Sequence, residues 1–150
     1  MAATRPIFCV PASDKGDEIA ADLLALVLQI EGFRVEVVSS KSLMSEIVER
    51  MAEARATTVC VSATPPHDDL RTRYLCKSLR LKVPGLHLVV ALWDSPLDEG
   101  RLSGLRERVG ADRIRTTLSA VLNELRPFAS LDAGVALREE VAIPEVAVTA

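Results

Sequence analysis

The side chains able to do chemistry gather in three short polar stretches, each following an apolar run: Ser13-Asp14-Lys15-Gly16-Asp17-Glu18, Ser62-Ala63-Thr64-Pro65-Pro66-His67, and Trp93-Asp94-Ser95. Together they offer hydroxyls, carboxylates, an ammonium, an imidazole and an indole. A nucleophilic serine needs a base within hydrogen-bond reach and a third group to orient that base. The chain has two histidines, and of these His67 is the one beside such a stretch, close to Ser62 and followed by Asp68 and Asp69. Pro66-His67-Asp68-Asp69 is also what a helix start looks like, since acids in the first turn interact favourably with the helix dipole. An enzyme built on these residues would use Asp14, Lys15 and His67 on a phosphorylated or carboxylated metabolite. A ligand-binding site would use Ser13, Asp14, Lys15, Ser62, Thr64, His67 and Trp93.

Several site chemistries are missing their residues. A phosphate loop needs glycines so that successive backbone N–H groups can approach the anion. The first stretch contains only Gly16, so it is neither a Walker loop nor a dinucleotide fingerprint. Ser13 alone does not make the hydroxyl-rich loop that a flavin phosphate requires. A phospho-acceptor receiver would carry an Asp after its third strand and a Lys after its fifth. Here Ser62 and Arg115-Thr116-Thr117 occupy those places. Cys9, Cys60 and Cys76 form no Cys-x-x-Cys pair, and Cys9 and Cys60 sit in strand-like runs where a thiol behaves as a small hydrophobe. No metal and no cofactor are expected.

The elements that must position these stretches alternate. Ile7 to Val10 is a short apolar run. The next segment carries Ile19, Leu23, Leu24, Leu26, Val27 and Ile30, predicting a helix with one broad apolar face, capped by Asp17 or Ser13 and stopped by Gly32. Phe33, Val35 and Val37 alternate with Arg34 and Glu36, as in a strand near a sheet edge. A second helix places Leu43, Ile47, Val48 and Met51 on one face. Thr57 to Val61 has no alternation and reads as a strand buried on both faces. A third helix from about His67 to Leu81 carries the basic residues Arg71, Arg73, Lys77, Arg80 and Lys82, read as a solvated face. Leu86 to Leu92 is the most continuous strand. A fourth helix opens at Pro96, Ala111 to Ile114 is a short fifth strand, and a last helix covers Leu118 to Leu125. Short loops between alternating strands and helices predict a doubly wound five-stranded parallel sheet in the flavodoxin-like order 2-1-3-4-5. Ligands of that fold sit beyond the carboxyl ends of the strands, at the switch point between strands one and three.

One α/β domain over residues 1–128 is expected, with 129–150 as a tail or docking segment that could add a short strand at Val135 to Leu137 or Val146 to Val148. A net charge of −3 gives no general attraction to nucleic acid. The apolar runs Leu23 to Leu28 and Leu86 to Trp93 are far short of the roughly 20 residues that span a bilayer, and the amino terminus does not read as a signal peptide. A cytoplasmic location follows as an expectation, and sheet edges leave a homodimer open.

The layout over roughly residues 5–127 resembles the cobalamin-binding domain of methionine synthase and the methylmalonyl-CoA mutase group. That family's first loop reads Asp-x-His-x-x-Gly, its histidine replacing the lower cobalt ligand. In this chain Asp14 stands at the start of that motif, with Gly16 in the histidine's place and Ile19 in the glycine's. Ser62-Ala63-Thr64 matches the family's Ser-x-Leu or Ser-x-Thr, whereas Ala91-Leu92-Trp93 stands where a Gly-Gly pair would admit the nucleotide tail. The resemblance therefore implies a domain that has lost the cofactor. Cobalamin held without a protein ligand to cobalt is a further alternative. The phrases Val59-Cys60-Val61-Ser62-Ala63-Thr64-Pro65-Pro66 and Arg73-Tyr74-Leu75-Cys76 are similar to the cytosolic C-terminal extension of bacterial putative permeases of the autoinducer-2 exporter type. That likeness implies a regulatory or interaction domain, part of or partnered with a membrane transporter. The rival expectation is a small-molecule-binding enzyme using the crevice between the loops after strands one and three.

Overall fold

The computed structural model describes residues 5–128; the expected tail and its two short strands lie outside them. The elements run β1 (Ile7–Pro11), α1 (Lys15–Ile30), β2 (Val35–Val37), α2 (Met44–Glu53), β3 (Thr58–Ala63), α3 (Asp69–Lys82), β4 (His87–Leu92), α4 (Glu99–Val109) and β5 (Arg113–Arg115), followed by a helix α5 over 118–128. The five strands form one parallel sheet in the order β2-β1-β3-β4-β5. This is the flavodoxin-like arrangement, with the switch point between β1 and β3.

Alternation along β1, β3 and β4 divides the core in two. Phe8, Val10, Val59, Val61, Leu88, Val90 and Leu92 face α2, α3 and α4. Ile7, Cys9, Cys60, Val89 and Ala91 face α1 and α5. Both faces are covered, which is why these strands read as unbroken apolar runs. The short edge strands β2 and β5 have polar residues at Glu36, Arg113 and Arg115.

Several boundaries move relative to the sequence reading. β2 begins at Val35 rather than Phe33, whose side chain packs into the core ahead of the strand. β3 continues through Ser62 and Ala63 because both still pair with β4. α3 starts at Asp69, leaving His67 outside the helix, and α4 starts at Glu99, where Asp98 rather than Pro96 sets the first turn. Of the basic residues on α3, Arg80 is built into the fold. Its guanidinium donates to the carbonyls of Gly110 and Leu86 and to Asp112, which also accepts from the Leu88 N–H.

The larger correction concerns α1. The single broad apolar face expected of this helix comprised Ile19, Leu23, Leu24, Leu26, Val27 and Ile30. The sheet instead receives Ala21, Leu24, Ala25 and Leu28, while Ile19, Leu23, Leu26 and Ile30 are exposed. The two alanines let the helix lie close to the layer of Ile7, Cys9, Cys60 and Val89. α5 flanks α1 on the same face. Arg126 reaches from α5 to both carboxylate oxygens of Glu31 just past the end of α1, at 2.9 and 3.0 Å.

Candidate functional site

The carboxyl ends of β1 and β3 are held together by one carboxylate. Asp14, not Asp17 or Ser13, is the N-cap of α1, and its side chain accepts the Asp17 N–H at 3.0 Å. Asp17 reciprocates by accepting the Asp14 N–H, so the two acids form a capping box. Asp17 does more than cap. Its Oδ1 accepts from both the N–H and the hydroxyl of Thr64, each at 2.7 Å. Its Oδ2 accepts from the N–H of Ser13 at 2.9 Å, from the Ser13 hydroxyl at 3.1 Å and from the Asp14 N–H at 3.3 Å. Burial raises the cost of charging Asp17. The donors, led by Thr64, outweigh it and hold the carboxyl below the usual aspartate range. A negative charge at a helix N-terminus, surrounded by N–H and O–H donors, is what a bound anion would be in such a fold. Here the anion is the protein's own.

The adjacent acid is also engaged. Glu18 accepts from Lys15 Nζ at 2.6 Å and from the Ser40 N–H at 2.9 Å, tying the start of α1 to the loop after β2. Lys15, the Ser40 N–H and the Ser39 hydroxyl pull its pKa down to about 2.

Of the seven residues expected to form a site, Ser13, Asp14 and Thr64 converge on Asp17. Ser62 lies next to them in β3, where its carbonyl accepts the Ala12 N–H at 2.9 Å. Its side chain is fully buried, and its hydroxyl has no hydrogen-bond partner among the described residues. Lys15 is directed toward Glu18. His67 Nε2 lies 3.1 Å from the carbonyl of Trp93, bridging the loops after β3 and β4. The Trp93 indole packs away from these groups, in an apolar groove with Ala20, Leu23, Leu24, Val27 and Leu118. Trp93 thus joins the α1 side of the sheet and not the crevice. Gly16 stands against Thr64: a Cβ there would come within 3.2 Å of the Thr64 hydroxyl and 3.4 Å of an Asp14 oxygen.

The open space at this end of the sheet lies farther out, on the β2 side. A cleft of about 540 Å³ runs between the loops after β1 and β2 and the first turns of α2 and α3. Ser13, Ser39 and Ser42 line one side, Arg71 and Tyr74 the other, over an apolar floor that includes Val10 and Leu75. Sequence reasoning placed Arg71 on a solvated face and gave Tyr74 no site role; their meeting with the serine loop depends on the packing of α3 and has no local signature. The three thiols take no part. Cys9, Cys60 and Cys76 are buried and unbridged, and burial pushes Cys9 and Cys76 up to about 12 and Cys60 well above an ordinary thiol.

No protein-family model matches the chain, and no curated protein matches it. Solved structures do. A novel cobalamin-binding protein from Desulfitobacterium hafniense DCB-2 superposes with a TM-score of 0.62 at 19% identity, over 82% of this chain and 58% of that one. This chain therefore spans little more than half of that protein. A CheY-like protein, TadZ, from Pseudomonas aeruginosa PAO1 superposes with a TM-score of 0.59 at 22% identity, over 81% of this chain and 98% of that one. At such identities the likeness establishes the fold. The chain shares its fold with these two proteins. Among the described residues, no helix is long and apolar enough to cross a membrane.

Proposed function

We propose that this domain is a non-catalytic regulatory or interaction module whose switch-point crevice has been closed by its own side chain. The observation that carries the reading is Asp17, which takes five hydrogen bonds from Ser13, Asp14 and Thr64. A ligand entering between β1 and β3 would have to displace those bonds and leave a carboxylate buried without donors, a cost of several kcal/mol.

Cobalamin, which the structural neighbour binds, does not fit these residues in the histidine-ligated manner. Gly16 carries no ligand, and any side chain there meets Thr64. Leu92 is buried in the core and the bulky Trp93 lines the groove beside α1, at the positions where small residues would be needed to admit a nucleotide tail. Attachment to a membrane transporter, as cytosolic part or as partner, rests on the likeness of residues 59–66 and 73–76 to the permease extension. Membrane-spanning segments encoded ahead of residue 1 would support it.

The deciding experiment is incubation with hydroxocobalamin followed by gel filtration, alongside a thermal-shift screen of phosphorylated and carboxylated metabolites. The expected result is no retained colour and no shift attributable to the crevice. Retained colour, or a shift abolished by Ser62→Ala or Asp14→Ala, would overturn the reading. A second reading is favoured by the outer cleft: a small ligand bound between the Ser39-to-Ser42 loop and Arg71 and Tyr74. A shift abolished by Arg71→Ala or Tyr74→Ala but unaffected by Ser62→Ala would select it.

A further inference from the structure

The outward flank of α1 carries a seam. Ile19, Leu23, Leu26 and Ile30 are 52, 60, 53 and 77% exposed, and they succeed one another at intervals of four, three and four residues. That is the alternating spacing of a two-helix seam with a period of 3.5, narrower than the stripe a helix uses to cover a sheet. The sheet is served by the opposite flank, through Ala21, Leu24, Ala25 and Leu28. α1 therefore has two apolar faces, and among the described residues the sheet takes one.

We propose that the second face is the interface of a homodimer, in which α1 packs against α1 of a second copy of the chain. The seam contains no charged residue, and neither does its flank of Ala20 and Val27, where Trp93 and Leu118 form the adjoining groove. The other flank carries Lys15, Asp22 and Gln29. Lys15 is already paired with Glu18, and an antiparallel pairing sets Asp22 nearest Gln29 of the partner subunit, so self-association does not force two like charges together on that side. The order Ile-Leu-Leu-Ile reads the same from either end. An antiparallel pairing thus sets Ile19 against Ile30 and Leu23 against Leu26 of the partner subunit, and it opposes the two helix dipoles. The four side chains offer on the order of 400 Å² of apolar surface per subunit, the size of the largest patch on an ordinary monomer. With the adjoining groove, pairing removes roughly 1,000 Å² in total, the lower bound for a specific interface. The arrangement is isologous and closes on itself, so it stops at two subunits.

This inference is independent of the crevice. Its test is sedimentation of the full chain from low micromolar to submillimolar concentration, with emission from Trp93, the sole tryptophan, read in parallel. The wild type is expected to approach twice the monomer mass, with Trp93 emission moving to the blue as the groove is covered. Leu23→Glu combined with Leu26→Glu is expected to remain monomeric with unchanged circular dichroism. Ile30→Glu, at the most exposed position, is expected to weaken association about tenfold or more without affecting the fold. A wild type that stays monomeric, or variants that associate as tightly as the wild type, would overturn the proposal. A monomeric wild type whose Trp93 emission moves to the red in Ile30→Glu, a position outside the Trp93 groove, would overturn it too, assigning the seam to another segment of the same chain.

Discussion

The first turn of α1 and its outer flank invert the usual distribution of side chains. The first turn buries a charge, with Asp17 only 3% exposed, whereas the flank leaves two leucines and two isoleucines more than half exposed. Buried acids and exposed aliphatics are both signals of function when met alone. Side by side they separate. Asp17 is buried with five hydrogen bonds directed at it, so its burial is accounted for within the domain. The aliphatic seam has nothing within the described domain that accounts for it.

Three measurements would break or sharpen that contrast. The largest effect is expected between the two faces of α1. Leu28→Ala removes a side chain wholly enclosed by the core and should cost about 3 kcal/mol in urea unfolding, whereas Leu23→Ala should stay within about 0.5 kcal/mol of the wild type at concentrations where the chain is monomeric. Comparable losses at both positions would mean that the seam is covered inside the monomer. The next effect belongs to Asp17. Asp17→Ala leaves the N–H groups of Ser13, Asp14 and Thr64 without their acceptor and should cost about 2 kcal/mol. A loss below about 0.5 kcal/mol would show that water replaces the carboxylate freely and that the crevice is open.

The smallest effect is a pH dependence. The folded pKa of Asp17 lies below its unfolded value, so its contribution is present above the ordinary aspartate range and disappears as pH falls through the folded value. The stability gap between wild type and Asp17→Asn should therefore narrow below about pH 4. Glu18, Glu31 and Asp112 are shifted the same way and contribute to the acid sensitivity of both proteins, leaving the gap to report Asp17. A gap that widens toward acid would mean that Asp17 is held in its protonated form.

The strand order was legible because three strands of a parallel sheet are buried on both sides and cannot alternate. Thr57 to Val61 and Leu86 to Leu92 announce themselves on that ground. α1 has two apolar faces where one is expected, for a related reason. Apolar residues surround most of the helix, and periodicity alone does not say which of two apolar faces a sheet will take. The clue was the pair Ala21 and Ala25, small enough for close approach, beside an Ile-Leu-Leu-Ile series whose spacing suits another helix. At the site, the reciprocal cap of Asp14 and Asp17 has a local signature three residues apart. The bond from Asp17 to Thr64 crosses 47 positions and exists only once β1 and β3 are neighbours. The outer cleft is illegible for the same reason: it joins residues from the loops after β1 and β2 to residues on α3.

The three cysteines give the fold an internal clock. Cys9 and Cys60 sit side by side on β1 and β3, and Cys76 lies on the buried side of α3, across the sheet. None can meet an alkylating reagent while the sheet keeps its two helical layers. Labelling of these thiols is therefore timed by the opening of the layers, Cys9 and Cys60 by release of α1 and α5, Cys76 by release of α3. A single chemical trace thus records the order in which the two halves of the core come apart.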